Sequence, residues 1–243
     1  VRNNGWDQGT FMGVATALAV SKLLGLTEEQ MGNAASLAVV PNIPLRVTRT
    51  GSLSMWKGSA TASAVRNAIF AAKMAAEGMT GPDEPFEGKT ALWDQVTGPF
   101  EVSLPAYSDG RYVVQLAHFK QFPAETHSLA FVGFAPTILE FAPIDDIESI
   151  AIETYWHAWH EIGMHPSRWD PQTRETADHS LPYLLAVALV DGDVNLDSFL
   201  PKRYLDDALR PVMDKISITE NSEYTALFRP KSSGITADPR SKI

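Results

Sequence analysis

A run of small and apolar residues from Ser54 to Gly78 constrains this chain more than any other stretch. It holds no proline, its charges are sparse, and Gly78 with Pro82 beyond it supplies a stop. It reads as one long helix, with Ser52 or Ser54 as N-cap and Gly78 at C′. At about 100° per residue, Arg66, Lys73 and Glu77 lie roughly 180°, 160° and 200° from Lys57. Those three mark the wet face, so Lys57 shares the opposite face with Ala60, Thr61, Ala64, Ala68, Ala71, Ala72 and Ala75. Side chains this small let a neighbouring helix pack close. A lysine aimed inward calls for an anionic partner, and a bound substrate is one candidate. The other reading is a lysine that snorkels to water along its own stem. The positive end of the helix dipole and desolvation both ease its deprotonation or favour a bound carboxylate.

The 243 residues allow one large domain or two modest ones with a sizeable core. No cysteine is present, which excludes disulfide and thiol chemistry and fits a reducing, cytoplasmic setting. The net charge of −9 and the absence of any basic run argue against a nucleic-acid surface. An acidic protein that binds an anion must gather its cations locally, which raises the interest of clustered Lys, Arg and His. No segment reaches the roughly 18 apolar residues of a membrane span, and no signal peptide is visible. The sequence opens on Val1 and ends Arg240-Ser-Lys-Ile243, so the expectation is a piece of a longer polypeptide.

Residues 10–78 read as helical. Phe11 to Gly25 is one helix, and Thr27-Glu-Glu-Gln30 is a capping box that opens a second, running to about Val40. Leu45 to Ser52 is a linker carrying Arg46 and Arg49, and Gly81 to Gly88 is a turn-rich loop. Beyond Tyr107 the pattern changes. Strands are expected over Arg111–Ala117 and Ile147–Tyr155, and an extended segment over Ile216–Phe228. Helices are expected from Pro123, as an N1 proline, to about Phe141, from His179 to Val190, and from Tyr204 to Asp214. Helices first and mixed elements after them predict two domains, with a boundary near 105–118.

Three clusters carry possible chemistry. Phe119-Lys-Gln-Phe-Pro-Ala-Glu-Thr-His127 gathers Lys120, Glu125 and His127 about a helix start, where free N–H groups attract anions. An imidazole there suits proton transfer; the alternative is a capping Glu125 and a structurally satisfied His127. Asp178-His179 sits at the mouth of an apolar helix that Asp178 or Ser180 can cap. His157-Ala-Trp-His160 with His165 matches no strong zinc spacing, although His157 at a strand end can face a cleft. No nucleophile elbow, Walker loop or dinucleotide fingerprint is present.

Taken together, Gly5-Trp-Asp7, Ser54-Met-Trp-Lys-Gly58, Arg66-Asn-Ala-Ile-Phe-Ala-Ala72, Gly78-Met-Thr-Gly-Pro82, Pro85-Phe-Glu-Gly88, the Lys120–His127 segment and Arg174 to Tyr183 running into Asp191-Gly192 resemble the MmgE/PrpD family. The resemblance implies a mainly α protein, with residues 1–112 part of an all-helical domain and 113–243 part of a smaller α+β lid, the site lying in the cleft between them. It implies a homodimer acting on a small polycarboxylate, with no required metal or organic cofactor. By position, Lys57 and Lys120 match the lysines of the site, and Glu125 and His127 fall where the lid supplies polar site groups; Lys57, Lys120 and His127 are the catalytic candidates, while Arg46, Arg49, Glu125, His157 and His179 are candidates for substrate binding. The reaction implied is dehydration of a tricarboxylate of the 2-methylcitrate type, as in propionate catabolism, with decarboxylation or epimerisation of a related acid as alternatives. A non-catalytic anion-binding or dimerising chain is the third. Gln8, Phe122 and Leu129 depart from residues frequent in the family. The resemblance also places an acidic residue and a histidine of the site upstream of Val1.

Overall fold

The computed structural model describes residues 4–99 and 112–228, in two compact units, Val1–Leu116 and Ala117–Ile243. Helix dominates both. The first unit is built on α1 (Gly9–Leu23), α2 (Glu28–Val39) and α3 (Trp56–Ala76), which pack on one another. Thr27 Oγ1 accepts the Gln30 N–H and the Gln30 side chain returns a bond to the Thr27 N–H, so α2 starts on the expected capping box. The core of the three is almost entirely alanine: Ala17, Ala34, Ala38, Ala68, Ala71, Ala72 and Ala75. Each methyl buries little, about 0.8 kcal/mol by transfer, so close backbone approach rather than side-chain area holds these helices together. α1 turns Gly13, Ala17 and Ser21 inward and leaves Phe11 and Leu23 outward.

Gly78 ends α3 as expected. At φ +91° it lets the Met79 N–H reach the Met74 carbonyl and its own N–H reach Ala75, closing a Schellman motif. Three residues on, Gly81 lies against α2. Its N–H bonds Asn33 Oδ1 at 3.0 Å, and a Cβ there would stand 2.6 Å from Ser36 Oγ. The start of α3 differs from expectation. Met55, already helical, is the N-cap and makes no side-chain bond, while the Ser54 carbonyl takes the Lys57 N–H at 3.0 Å.

The second unit is organised around α7 (Leu181–Asp191). Every residue from Leu181 to Leu189 is buried, as expected of a helix apolar on all sides. Ser180 caps it through the Tyr183 N–H, and the Tyr183 hydroxyl donates to the Ser198 carbonyl. Packed around it are α4 (Leu129–Phe141), the short α9 (Arg210–Met213) and the strand pair β1 (Ile150–Thr154) and β2 (Ile216–Glu220). The strands are parallel, in register Ile150 with Ile216 through Thr154 with Glu220. Smaller helices complete the unit: α5 (Trp156–Ile162), α6 (Arg174–Ala177), α8 (Pro201–Tyr204) and α10 (Ser222–Phe228).

Several expected elements are corrected. Arg111 and most of the expected boundary region lie outside the described residues, and Val113–Leu116, expected as strand, is a 3₁₀ turn. Pro123 does not open a helix; α4 begins at Leu129, after a 3₁₀ turn over Thr126–Ser128 that Glu125 caps. The expected helix over Tyr204–Asp214 is broken, because Pro201 and Pro211 each sit in the first turn of a separate short helix and Asp206 caps a turn between them. β2 stops at Glu220 because Asn221 Oδ1 takes the Glu223 N–H at 2.9 Å and starts α10.

Candidate functional site

In the first unit two of the candidate cations, Arg49 and Arg46, act on one buried carboxylate. Asp7 lies two residues before α1 and is fully buried; Arg49, in the 3₁₀ turn Arg46–Arg49, meets it with Nε 2.6 Å from Oδ2. The Gly9 N–H adds a bond to Oδ1 at 3.0 Å. Burial alone would push this carboxyl up. The Arg49 hydrogen bond, the Gly9 amide and the charges of Arg49 and Arg46 outweigh it and hold the group below the usual aspartate value. The second arm of Arg49 donates to Thr61 Oγ1 at 3.3 Å, which ties the turn to α3. Lys57 lies one helical turn before Thr61 on the same face of α3 and is half-buried, while Arg66, Lys73 and Glu77 are exposed. Arg46 is half-buried, and its N–H is held by the Gly5 carbonyl at 2.8 Å. Arg46 and Arg49 thus stand on a turn that Asp7 fastens to the start of α1 and that Thr61 ties to α3, the helix carrying Lys57.

The second unit concentrates its candidates on one turn. Lys120 Nζ donates to the Ala124 carbonyl at 2.7 Å, folding the lysine back over the segment. Glu125 Oε2 takes the His127 N–H at 2.6 Å, and the Glu125 N–H bonds the Asp178 carbonyl at 3.0 Å. That last bond brings the Lys120–His127 turn against the loop carrying Asp178 and His179, whose side chains are hydrogen-bonded to each other. His127 Nδ1 meets the Tyr155 hydroxyl at 2.5 Å, and its Nε2 lies 3.9 Å from Glu125 Oε1. The ring is enclosed by aromatics: Tyr155 edge-on at 5.4 Å and Phe228 at 5.8 Å, with Tyr155 and Phe228 stacked at 4.0 Å. Burial, with the Glu125 charge second, raises the Tyr155 phenol above its ordinary value, so it keeps its proton at neutral pH.

His157 is not at a strand end. β1 stops at Thr154, and His157 lies exposed in the first turn of α5, its ring 5.3 Å from Phe228. His160 and His165 stand apart from this group. His160 stacks on Trp156 at 4.3 Å, and His165 Nδ1 caps the next turn through Ser167. Among the described residues no three His, Asp or Glu side chains are placed to hold a metal ion. A pocket at the end of α7, lined by Asp191, Asn195, Asp197, Ser198, Lys202 and Arg203, includes none of the candidates. Its Arg203 is satisfied by Asp191 and Asp206, each at 2.6 Å.

Three members of these groups escaped sequence reasoning. Asp7 was visible only as part of a motif. Tyr155 follows directly on a strand, which is a usable signal for a side chain at a sheet end. Phe228 carries no local signal, since α10 is what brings it to His127.

Two family descriptions match: the MmgE/PrpD N-terminal domain over residues 1–105 and the MmgE/PrpD C-terminal domain over residues 122–240. A 2-methylcitrate dehydratase of Escherichia coli (strain K12) is 31% identical over 239 residues, covering 91% of this chain and 47% of its own length. One from Salmonella typhimurium is 31% identical over 233 residues with the same coverage, 91% and 47%. A mitochondrial 2-methylcitrate dehydratase of Yarrowia lipolytica is 28% identical over 235 residues, covering 91% of this chain and 43% of its own. The chain spans about half the length of the curated relatives it matches.

Proposed function

This chain belongs to the MmgE/PrpD family, and on that premise we propose that its parent protein is a hydro-lyase that removes water from a small tricarboxylate of the 2-methylcitrate type. The observation that carries the reading is the single turn that gathers a cation, a carboxylate and an imidazole: Lys120, Glu125 and His127. A tricarboxylate brings close to three negative charges to a protein whose own net charge is −9, so recognition depends on cations gathered locally. In this reading Lys57 and Lys120 each neutralise a substrate carboxylate. Arg49 and Arg46 add positive potential, Arg49 through a guanidinium already oriented by Asp7. Glu125, His157 and His179 orient the remaining polar groups of the substrate.

Dehydration needs two proton movements. One group takes the proton α to a carboxylate, whose electron pair becomes the new C=C bond. Another gives a proton to the hydroxyl as the C–O bond breaks and its pair leaves with oxygen as water. His127 carries one of these transfers; the second group is outside the residues assigned here. The reading includes a homodimer, checked by analytical ultracentrifugation, and a cytoplasmic location, checked by fractionation.

The deciding experiment is a proton NMR time course of the parent protein with 2-methylcitrate and cis-aconitate. Growth of an alkene signal from 2-methylcitrate, lost in Lys57→Ala, is the expected result. Loss of CO₂ from cis-aconitate would replace the dehydratase by a decarboxylase, and inversion without loss of mass by an epimerase. Binding without turnover of any acid, or a Lys57→Ala variant of full rate, would overturn the proposal.

A further inference from the structure

We propose that Tyr155 is the positioning residue of His127: its hydroxyl engages Nδ1, so that proton exchange with substrate takes place at Nε2. The inference deepens the reading of the reaction above and rests on it for the role of His127, though not for the contact itself. The geometry is direct. The Tyr155 oxygen lies 2.5 Å from His127 Nδ1, and no other hydrogen bond is recorded for that hydroxyl among the described residues. The imidazole has two distinct nitrogens, and the partner of one determines the state of the other. In the neutral ring the phenol donates to Nδ1, which puts the hydrogen on Nε2, towards Glu125 Oε1 at 3.9 Å.

A hydroxyl suits this task better than a carboxylate or a carbonyl. It both donates and accepts, and its hydrogen rotates without movement of heavy atoms. On taking a proton from water at Nδ1, His127 becomes imidazolium; the phenol hydrogen turns away and Nδ1–H donates to the same oxygen. The imidazolium then gives its Nε2 proton to the leaving hydroxyl, the C–O electron pair departs with water, and the neutral ring left with Nδ1–H on Tyr155 returns to the Nε2–H form by proton exchange with water. Nδ1 therefore stays occupied in every state. The ring is held in place as well as in tautomer. Tyr155 is stacked on Phe228 with planes 12° apart, and both meet the imidazole edge-on. α10 keeps Phe228 there through Thr225, whose hydroxyl takes the Trp156 N–H at 2.8 Å.

The test is nitrogen-15 NMR of the histidine rings in the wild-type chain and in Tyr155→Phe, which keeps the stacked ring and removes only the oxygen. In the wild type, wherever the ring is neutral, His127 is expected to show one protonated and one bare nitrogen, with Nε2 bearing the hydrogen. Averaged nitrogens in the wild type would overturn the proposal without any variant. In Tyr155→Phe the tautomer bias is expected to fall by roughly fivefold to tenfold, the equilibrium weight of one hydrogen bond. An unchanged ring in a variant whose amide spectrum is native would also overturn it. In the parent protein the same variant should lower kcat by roughly tenfold to a hundredfold, part of what acid–base catalysis supplies, with KM little changed. A ring that changes with no loss of turnover keeps the contact and refutes the proton-transfer role of His127. A turnover loss with an unchanged ring refutes the contact and leaves the reaction standing.

Discussion

Replacing Arg49 by alanine strands a carboxylate inside the first unit. The Asp7 side chain is 0% exposed and that of Arg49 13%, so neither charge has much water to fall back on. After the change Asp7 keeps the Gly9 amide at 3.0 Å and the more distant charge of Arg46. Removing one partner of a buried pair typically costs about 3–5 kcal/mol, because the remaining charge stays desolvated. For a unit of this size that lowers the melting temperature by on the order of 10 °C or more. The pH dependence is the sharper signature. In the wild type the Asp7 carboxyl is held below its ordinary value, so its stabilisation is present above the unfolded value near ~3.9 and is lost as pH falls through the folded one. In Arg49→Ala the main opposing influence is gone, and burial, the largest single cause, lifts the carboxyl above its unfolded value. The sign then reverses: the penalty is full near neutral pH and shrinks as acid neutralises the group. Urea unfolding followed by helix circular dichroism, at pH values from about 7 down to about 4.5, therefore gives a gap between the two proteins that narrows with acid. The double variant Asp7→Asn with Arg49→Ala should regain much of the loss at neutral pH. A gap below about 1 kcal/mol near neutral pH, the range of a surface pair, would refute the reasoning, as would a gap flat with pH.

Other perturbations test other parts. Ala72→Leu inserts a branched side chain between helices that touch through methyl groups, and should cost about 1–3 kcal/mol in a thermal melt, while the outward-facing Phe70→Ala should change little. Gly81→Ala drives a Cβ to 2.6 Å from Ser36 Oγ, so its melting temperature should fall more than that of Gly32→Ala, which meets nothing within 4 Å. Tyr183→Phe leaves the Ser198 carbonyl unpaired in the core and should cost about 1–3 kcal/mol in urea. Burial raises the Tyr183 phenol well above its ordinary value, so the folded state holds that proton longer than the unfolded chain. Wild-type stability should then fall as pH rises past ~10, a slope that Tyr183→Phe reduces.

What the sequence made legible is what short-range chemistry decides. The capping box at Thr27, the glycine stop at Gly78 and the inward alanine face of α3 each depend on residues within a turn or a helix face, and each is found. Three of the errors share one cause, a side chain that competes with the expected element. Glu125 takes the His127 N–H and delays α4 to Leu129; Asn221 takes the Glu223 N–H and ends β2; Pro211 divides an apolar stretch into separate turns. The candidate site was legible in the same partial way. Lys120, Glu125 and His127 are close in sequence and were read as a group. The pairing of Asp7 with Arg49 spans 42 positions and that of His127 with Tyr155 spans 28, distances at which spacing carries no information and only the fold does.

The parallel pairing of β1 with β2 also bears on how the chain acquires its structure. Ile150 meets Ile216, 66 positions later, and α5 through α9 lie between them. No hairpin can seed such a pair, so the strands join only after the intervening chain has condensed. α1 to α3 impose no such wait, because each helix touches a sequence neighbour. During synthesis the alanine bundle can therefore be complete while the second unit still lacks β2, and until β2 arrives the backbone edge of β1 that it covers stands open to pairing with another copy. The charged Glu153 on β1 is the residue of this strand that discourages that mistake.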